Sequence, residues 1–103
     1  MPRSEDELLG PGLPGVELIR AGLYDLRQGV ESEPSLLVEI GAPRLRACGL
    51  DVPASGAPGS LPEHRLYHRL IESGNADPYS AYNALLRRLV SFERALEQAL
   101  FTG

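Results

Sequence analysis

Two histidines and a glutamate follow one another at helical spacing and could together bind a metal ion. His64 and His68 are four residues apart, and Glu72 comes four residues later, so a helix would present all three on one side. A zinc-protease motif needs a glutamate directly after the first histidine, but Arg65 stands there. Arg65 and Arg69 would also place positive charge beside the metal. We therefore favour two histidines packed at the edge of an apolar face, and we predict no metal or other cofactor.

Cys48 is the only cysteine, and its thiolate could act as a nucleophile with help from Arg44 and Arg46. No C-x-x-C motif accompanies it, and a partner histidine cannot be read from the sequence. A small, buried thiol at a helix end is the more common role. We therefore predict no catalytic residue, and a lone cysteine fits a reducing compartment.

Glu93 is the clearest conflict between residue type and position. A helical wheel places it inside the apolar arc of the C-terminal segment, and Glu97 adds a like charge one turn later. A carboxylate near a core is costly unless it is paired. We predict that Glu93 is ionised and paired with an arginine, which would lower its pKa. A cation from a partner protein is the first alternative, and a catalytic role for the acid is the least favoured one. The arginines available within the chain are Arg44, Arg46, Arg65 and Arg69.

The residues around Gly41 offer a second functional hypothesis, a DNA-binding regulator. Gly41 would form the turn of a degenerate helix-turn-helix, and Arg44 and Arg46 would project from a recognition helix that begins at Pro43. That helix would be very short, and the acidic surroundings oppose phosphate contact. We therefore do not expect nucleic acid to be a partner.

The composition is that of a soluble globular domain with unevenly distributed charge. The 103 residues carry a net charge of −4, and every basic residue is an arginine. Residues 1–41 hold three Arg against eight acids, and residues 42–103 hold seven against six. Such a chain lacks the broad positive field that attracts nucleic acid or anionic lipid. No apolar run exceeds three residues, which predicts neither a membrane span nor a signal peptide. We expect a cytoplasmic protein, and the use of Arg with abundant Ala, Gly, Leu and Pro suggests a GC-rich bacterial source.

Helical periodicity and helix-end residues predict an all-α fold in a single domain, residues 1–103. We expect four or five helices, with a cluster of short N-terminal helices followed by an antiparallel hairpin whose last helix is long. A helix capped by Ser32 should stop at Gly41, and Asp77 should cap the last helix. Residues 1–13 should form a mobile arm, and residues 51–61, rich in Pro, Gly, Ser and Ala, a flexible loop.

The predicted last helix carries an apolar stripe that is wide for a chain of 11.2 kDa. The stripe predicts a small interaction module that forms a homodimer or binds a protein partner through this helix. The alternative is that the N-terminal helices simply cover it. A metal-binding or enzymatic site at His64, His68 and Glu72 is the third hypothesis, and no small-molecule ligand can be inferred. The stripe consists of Tyr82, Leu85, Leu89, Phe92, Leu96 and Ala99. Core packing is also expected for Tyr24, Tyr67, Tyr79 and Tyr82.

Overall fold

The computed structural model describes residues 4–54 and 60–102, and this part of the chain forms five α-helices and no strand. The predicted all-α class with four to five helices is therefore confirmed. None of the five helices is long and apolar enough to cross a membrane. The helices are α1 (Glu5–Leu8), α2 (Val16–Arg27), α3 (Glu33–Ala47), α4 (Pro62–Glu72) and α5 (Pro78–Thr102).

Helix α3 lies at the centre of the fold and contacts α2, α4 and α5. Its buried residues are spread over most of its circumference, as expected for a helix surrounded by other elements. Ser32 caps its first turn, since its hydroxyl accepts a hydrogen bond from the backbone N–H of Ser35 at 3.1 Å. The buried residues of α3 are Ser35, Leu36, Leu37, Val38, Gly41, Ala42 and Leu45.

Helix α3 continues through Gly41 and Pro43, so the predicted stop at Gly41 and the separate short helix after it are wrong. A Cβ added to Gly41 would lie 2.9 Å from Cδ1 of Leu89 and 3.0 Å from Oε2 of Glu93. Gly41 is therefore a point of close contact with side chains of α5, rather than a turn. Pro43 lacks the N–H that would bond the carbonyl of Glu39. The packing of α3 against three helices outweighs this local cost.

The described part of the predicted mobile arm, residues 4–13, packs on the domain, and residues 1–3 lie outside the described part of the chain. Leu8 and Leu9 are 5% and 1% exposed. A guanidinium N–H of Arg20 donates to the carbonyl of Leu9 at 2.7 Å, and Arg27 forms an ion pair with Glu5. Two leucines after a single capped turn are enough to anchor this segment, because each gains free energy by leaving water.

The predicted flexible loop over residues 51–61 is anchored where it leaves α3. Val52 is 5% exposed, and Arg46 donates to its carbonyl from Nη2 at 2.9 Å and from Nε at 3.1 Å. Residues 55–59, the middle of that predicted loop, lie outside the described part of the chain. The described start of this segment therefore has fixed backbone partners.

The last two helices form the predicted hairpin. Gly74 ends α4 with a positive φ of 83°, and Asp77 caps α5 by accepting from the backbone N–H of Ser80 at 3.1 Å. With Pro78 as its first residue, α5 extends for 25 residues. It is longer than the 15-residue α3, and several of its residues are exposed.

Replacing Leu89 with Ala should lower the free energy of unfolding by about 2–5 kcal/mol, because the leucine is 4% exposed and its truncation leaves a cavity. Urea unfolding measures the loss. Phe101→Ala is the control on the same helix, since Phe101 is 80% exposed, and it should cost less than about 0.5 kcal/mol. Equal losses for the two variants would contradict this packing.

Replacing Gly22 with Ala should destabilise the fold, although alanine favours helices. An added Cβ would lie 2.4 Å from the carbonyl oxygen of Pro34 and 2.5 Å from Cγ2 of Val38. Overpacking costs typically about 1–3 kcal/mol, and the helix-propensity gain offsets up to about 1 kcal/mol of it. The control is Gly12→Ala, which meets nothing within 4 Å. Thermal unfolding should show a lower Tm for Gly22→Ala alone, and an unchanged or higher Tm would refute the close crossing.

Candidate functional site

The chain itself covers the middle of the apolar stripe on α5. Leu89, Phe92 and Leu96 are 4%, 0% and 1% exposed. Toward the two ends the cover is lost, because Tyr82 and Leu85 are half-buried and Ala99 is exposed. A partner could therefore reach this apolar stripe only near its ends, unless the core opened.

An open groove, which we call the tyrosine groove, runs between α4 and the first turns of α5 and has a volume of about 460 Å³. Tyr67 and Tyr82 meet edge to face in its wall, with ring centroids 5.7 Å apart and an interplanar angle of 86°. Ile71 and Tyr79 are 49% and 66% exposed. The lining residues are Glu63, His64, Tyr67, His68, Ile71, Tyr79 and Tyr82.

The expectation that all four tyrosines pack in the core is wrong for two of them. Tyr24 and Tyr79 are 64% and 66% exposed. Helical spacing showed that they share a side with apolar neighbours, but it could not show whether another helix faces that side. Exposed aromatic rings are favoured at protein interfaces, because they bury a large area when a partner arrives.

The candidate metal ligands are brought together only in part. His68 Nε2 lies 2.9 Å from Glu72 Oε1, and these side chains are 72% and 67% exposed. His64 is also exposed, at the rim of the tyrosine groove. No group of three or more metal-binding side chains is formed by the residues that the structure describes. His68 and Glu72 thus form a solvent-exposed pair one helical turn apart, in which the carboxylate contacts the imidazole.

Glu93 and Glu97 of α5 share Arg44 of α3. Arg44 Nη1 lies 3.4 Å from Glu93 Oε1, whereas its Nε donates to Glu97 Oε2 at 3.1 Å and its Nη2 to the other oxygen of Glu97. The side chain of Glu93 is 6% exposed and that of Glu97 is 32% exposed. The planar guanidinium therefore binds Glu97 with two donors and reaches Glu93 with one longer contact.

The prediction that pairing lowers the pKa of Glu93 is wrong, because the pKa is raised. Burial raises the pKa of Glu93, and the nearby charge of Glu97 raises it further, while Arg44 offsets only part of the rise. The hydrogen bonds from Arg44 instead lower the pKa of Glu97. Arg44 does contact Glu93, as predicted, but most of its hydrogen bonds go to the more exposed Glu97. Desolvation therefore dominates the pKa of the buried Glu93.

The other candidate arginines have different partners. Arg65, 17% exposed, bridges Glu31 at 3.2 Å and Glu39 at 2.8 Å and so joins α4 to α3. Its buried Nε has no hydrogen-bond partner among the described residues. Arg46 donates to backbone carbonyls after α3, and Arg69 has no ion pair within residues 4–54 and 60–102. The sequence did not single out either acid that binds Arg65, because neither lies at helical spacing from it.

Cys48 and the arginines near it do not form a reactive or DNA-reading arrangement. Burial raises the pKa of the Cys48 thiol, and the smaller opposing effect of Arg44 does not reverse this. A thiol with a raised pKa is a poor nucleophile at neutral pH. Arg44 and Arg46 are bonded within the protein, and the continuous α3 removes the turn at Gly41 on which the helix-turn-helix hypothesis depends.

Comparison of the chain with protein-family models, with curated proteins and with solved structures gives no match. Its function is therefore inferred from its own surfaces and charges.

Replacing Glu93 with Gln should have an effect on stability that depends on pH. Because the folded pKa of Glu93 is raised, the ionised form is disfavoured by folding, so wild-type stability falls as pH rises from the unfolded value near 4.3 through the folded value. Above that window the neutral Gln should match or exceed Glu in stability. The advantage should disappear as the pH falls. Urea unfolding of both proteins at several pH values measures the difference.

Glu97→Gln provides the matched control, because the pKa of Glu97 is lowered. Its stabilisation is present above the unfolded pKa and is lost as pH falls through the folded value. Glu97→Gln should therefore cost stability at neutral pH and cost less in acid. A loss of the same form in Glu93→Gln would show that the pKa of Glu93 is lowered rather than raised.

Proposed function

We propose that this protein is a small interaction module that forms a homodimer through the tyrosine groove. The observation that carries the proposal is the group of exposed apolar side chains, Ile71 and Tyr79, beside the half-buried Tyr67 and Tyr82. Aromatic residues are enriched in protein interfaces, and tyrosine contributes contact area at a small cost in conformational entropy. In this dimer α5 remains the interacting helix, and it makes the contact through its first turns.

A second copy of this chain fits the groove because the lining carries complementary hydrogen-bonding groups beside its apolar side chains. Glu63 supplies a carboxylate, and His64 and His68 supply imidazoles that can donate a hydrogen bond. In a two-fold dimer each groove faces its own copy, so the carboxylate of one copy can accept from an imidazole of the other. A standard interface needs about 800 Å² per partner. That is about one eighth of the 6222 Å² exposed by the described protein.

We also infer a bacterial, cytoplasmic setting. The support is compositional: the chain has a single cysteine, no lysine, and an arginine-rich basic set. A reducing compartment would keep Cys48 as a thiol. Detection of the protein in the soluble cytoplasmic fraction of its source cell would test this.

Light scattering with size exclusion at micromolar concentration should give twice the 11.2 kDa mass of the chain. Ile71→Glu and Tyr79→Glu should each return the mass to that of a monomer, because a carboxylate would be buried without a partner at the interface. Tyr24→Glu is the control, since Tyr24 is equally exposed on α2 but lies outside the groove.

A monomer at every concentration would refute the homodimer. A dimer that survives Ile71→Glu and Tyr79→Glu but is lost in Tyr24→Glu would place the contact elsewhere. Circular dichroism of each variant would show that the helices remain folded.

A further inference from the structure

A second open groove, which we call the arginine groove, lies between the start of α2 and the middle of α5 and has a volume of about 900 Å³. On α5 its residues recur at steps of three, one and three, so they follow one side of the helix for about 10 Å. Glu17 is the single acid that lines it. The lining residues are Pro14, Gly15, Glu17, Leu18, Ala21, Ala84, Arg87, Arg88 and Ser91.

The middle of the groove is small and partly apolar. Leu18 and Ala84 are half-buried, and Ala21 and Ser91 are exposed. The backbone of the two helices comes close at one end, where a Cβ on Gly15 would lie 3.7 Å from the carbonyl oxygen of Arg88. Small side chains leave room for a side chain from outside, which would gain free energy by covering Leu18 and the alanines.

The arginines of this groove have no bonded partner within the described residues, unlike most other arginines of the protein. Arg20, Arg27, Arg44, Arg46 and Arg65 each bind a carboxylate or a backbone carbonyl. Those without a partner in residues 4–54 and 60–102 are Arg69, Arg87, Arg88 and Arg94.

The three arginines of α5 form a basic strip in a protein of net charge −4. Arg87 and Arg94 are seven residues apart and share one side of the helix, and Arg88 lies beside the groove. All three are exposed. A local positive strip on an acidic protein attracts a small anionic segment while the rest of the surface repels extended anions.

We propose that the arginine groove binds a short acidic peptide segment of another protein. The guanidinium groups of Arg87 and Arg88 would bind carboxylates of the peptide, with the bidentate geometry that arginine forms with carboxylate. One apolar side chain of the peptide would fill the space over Leu18, Ala21 and Ala84. Glu17 would repel a carboxylate of the peptide. The part of the peptide beside Glu17 should therefore carry a neutral or polar side chain.

A peptide is favoured over nucleic acid because the positive strip is short and the net charge of the protein is negative. Tight contact with a duplex requires many phosphate contacts, and three arginines supply few of them. The arginine groove and the tyrosine groove share no lining residue. Variants of one groove therefore leave the lining of the other unchanged.

The test selects peptides from a random display library on the immobilised full chain, with counter-selection on the Arg87→Glu/Arg88→Glu variant. The selected sequences should carry an excess of Asp and Glu beside at least one apolar residue. Fluorescence anisotropy then measures their affinity. Arg87→Glu and Arg88→Glu should each weaken binding by about tenfold or more, which corresponds to about 1.4 kcal/mol, and added salt should weaken wild-type binding.

Arg69→Glu is the matched control, because it makes the same charge change at another exposed arginine without a partner, and it should bind the peptides as the wild type does. Ile71→Glu should also bind normally, which separates this proposal from the homodimer. The proposal is overturned if selection yields no acidic enrichment, if Arg69→Glu weakens binding as much as Arg88→Glu, or if a random-sequence DNA duplex binds more tightly than the selected peptides.

Discussion

The close crossing of α3 and α5 at Gly41 is the contact on which the rest of the structure depends. A helix with a side chain at this position could not approach Leu89 and Glu93 so closely, because a Cβ would lie about 3 Å from both. The crossing buries the middle of the α5 stripe against α3. It also explains how Gly41 and Pro43 remain inside a helix. The packing of α3 against three helices stabilises the helical conformation more than these two residues destabilise it.

The same crossing determines the electrostatics of the protein. It places the carboxylate of Glu93 in the core and leaves that of Glu97 near water, with Arg44 between them. The arginine binds the accessible carboxylate with two donors, so the buried one keeps most of its desolvation cost. Two acids one helical turn apart thus acquire pKa shifts of opposite direction. Neither lines the tyrosine groove or the arginine groove, which favours a structural role for the pair.

The surfaces that remain open are the ones the crossing does not cover. Helix α5 is longer than the elements that pack on it, so its first turns with α4 form the tyrosine groove and its outer side with α2 forms the arginine groove. The first is apolar and aromatic with one carboxylate and two imidazoles in its lining, and the second carries two arginines and one acid. Surfaces of such different chemistry fit different occupants, which is the basis for proposing a second copy for one and an acidic peptide for the other.

Helical periodicity and helix-end residues were enough to predict the all-α class and most helix starts, because these signals act within a few positions. Ser32 and Asp77 begin helices where expected, and Gly74 ends one. The role of Gly41 as a contact rather than a turn follows only from the packing of α5 on α3. The tertiary structure also decided that the stripe is covered in its middle and that burial governs Glu93. Each of these depends on residues about fifty positions away along the chain, and spacing within one segment carries no information about what faces it.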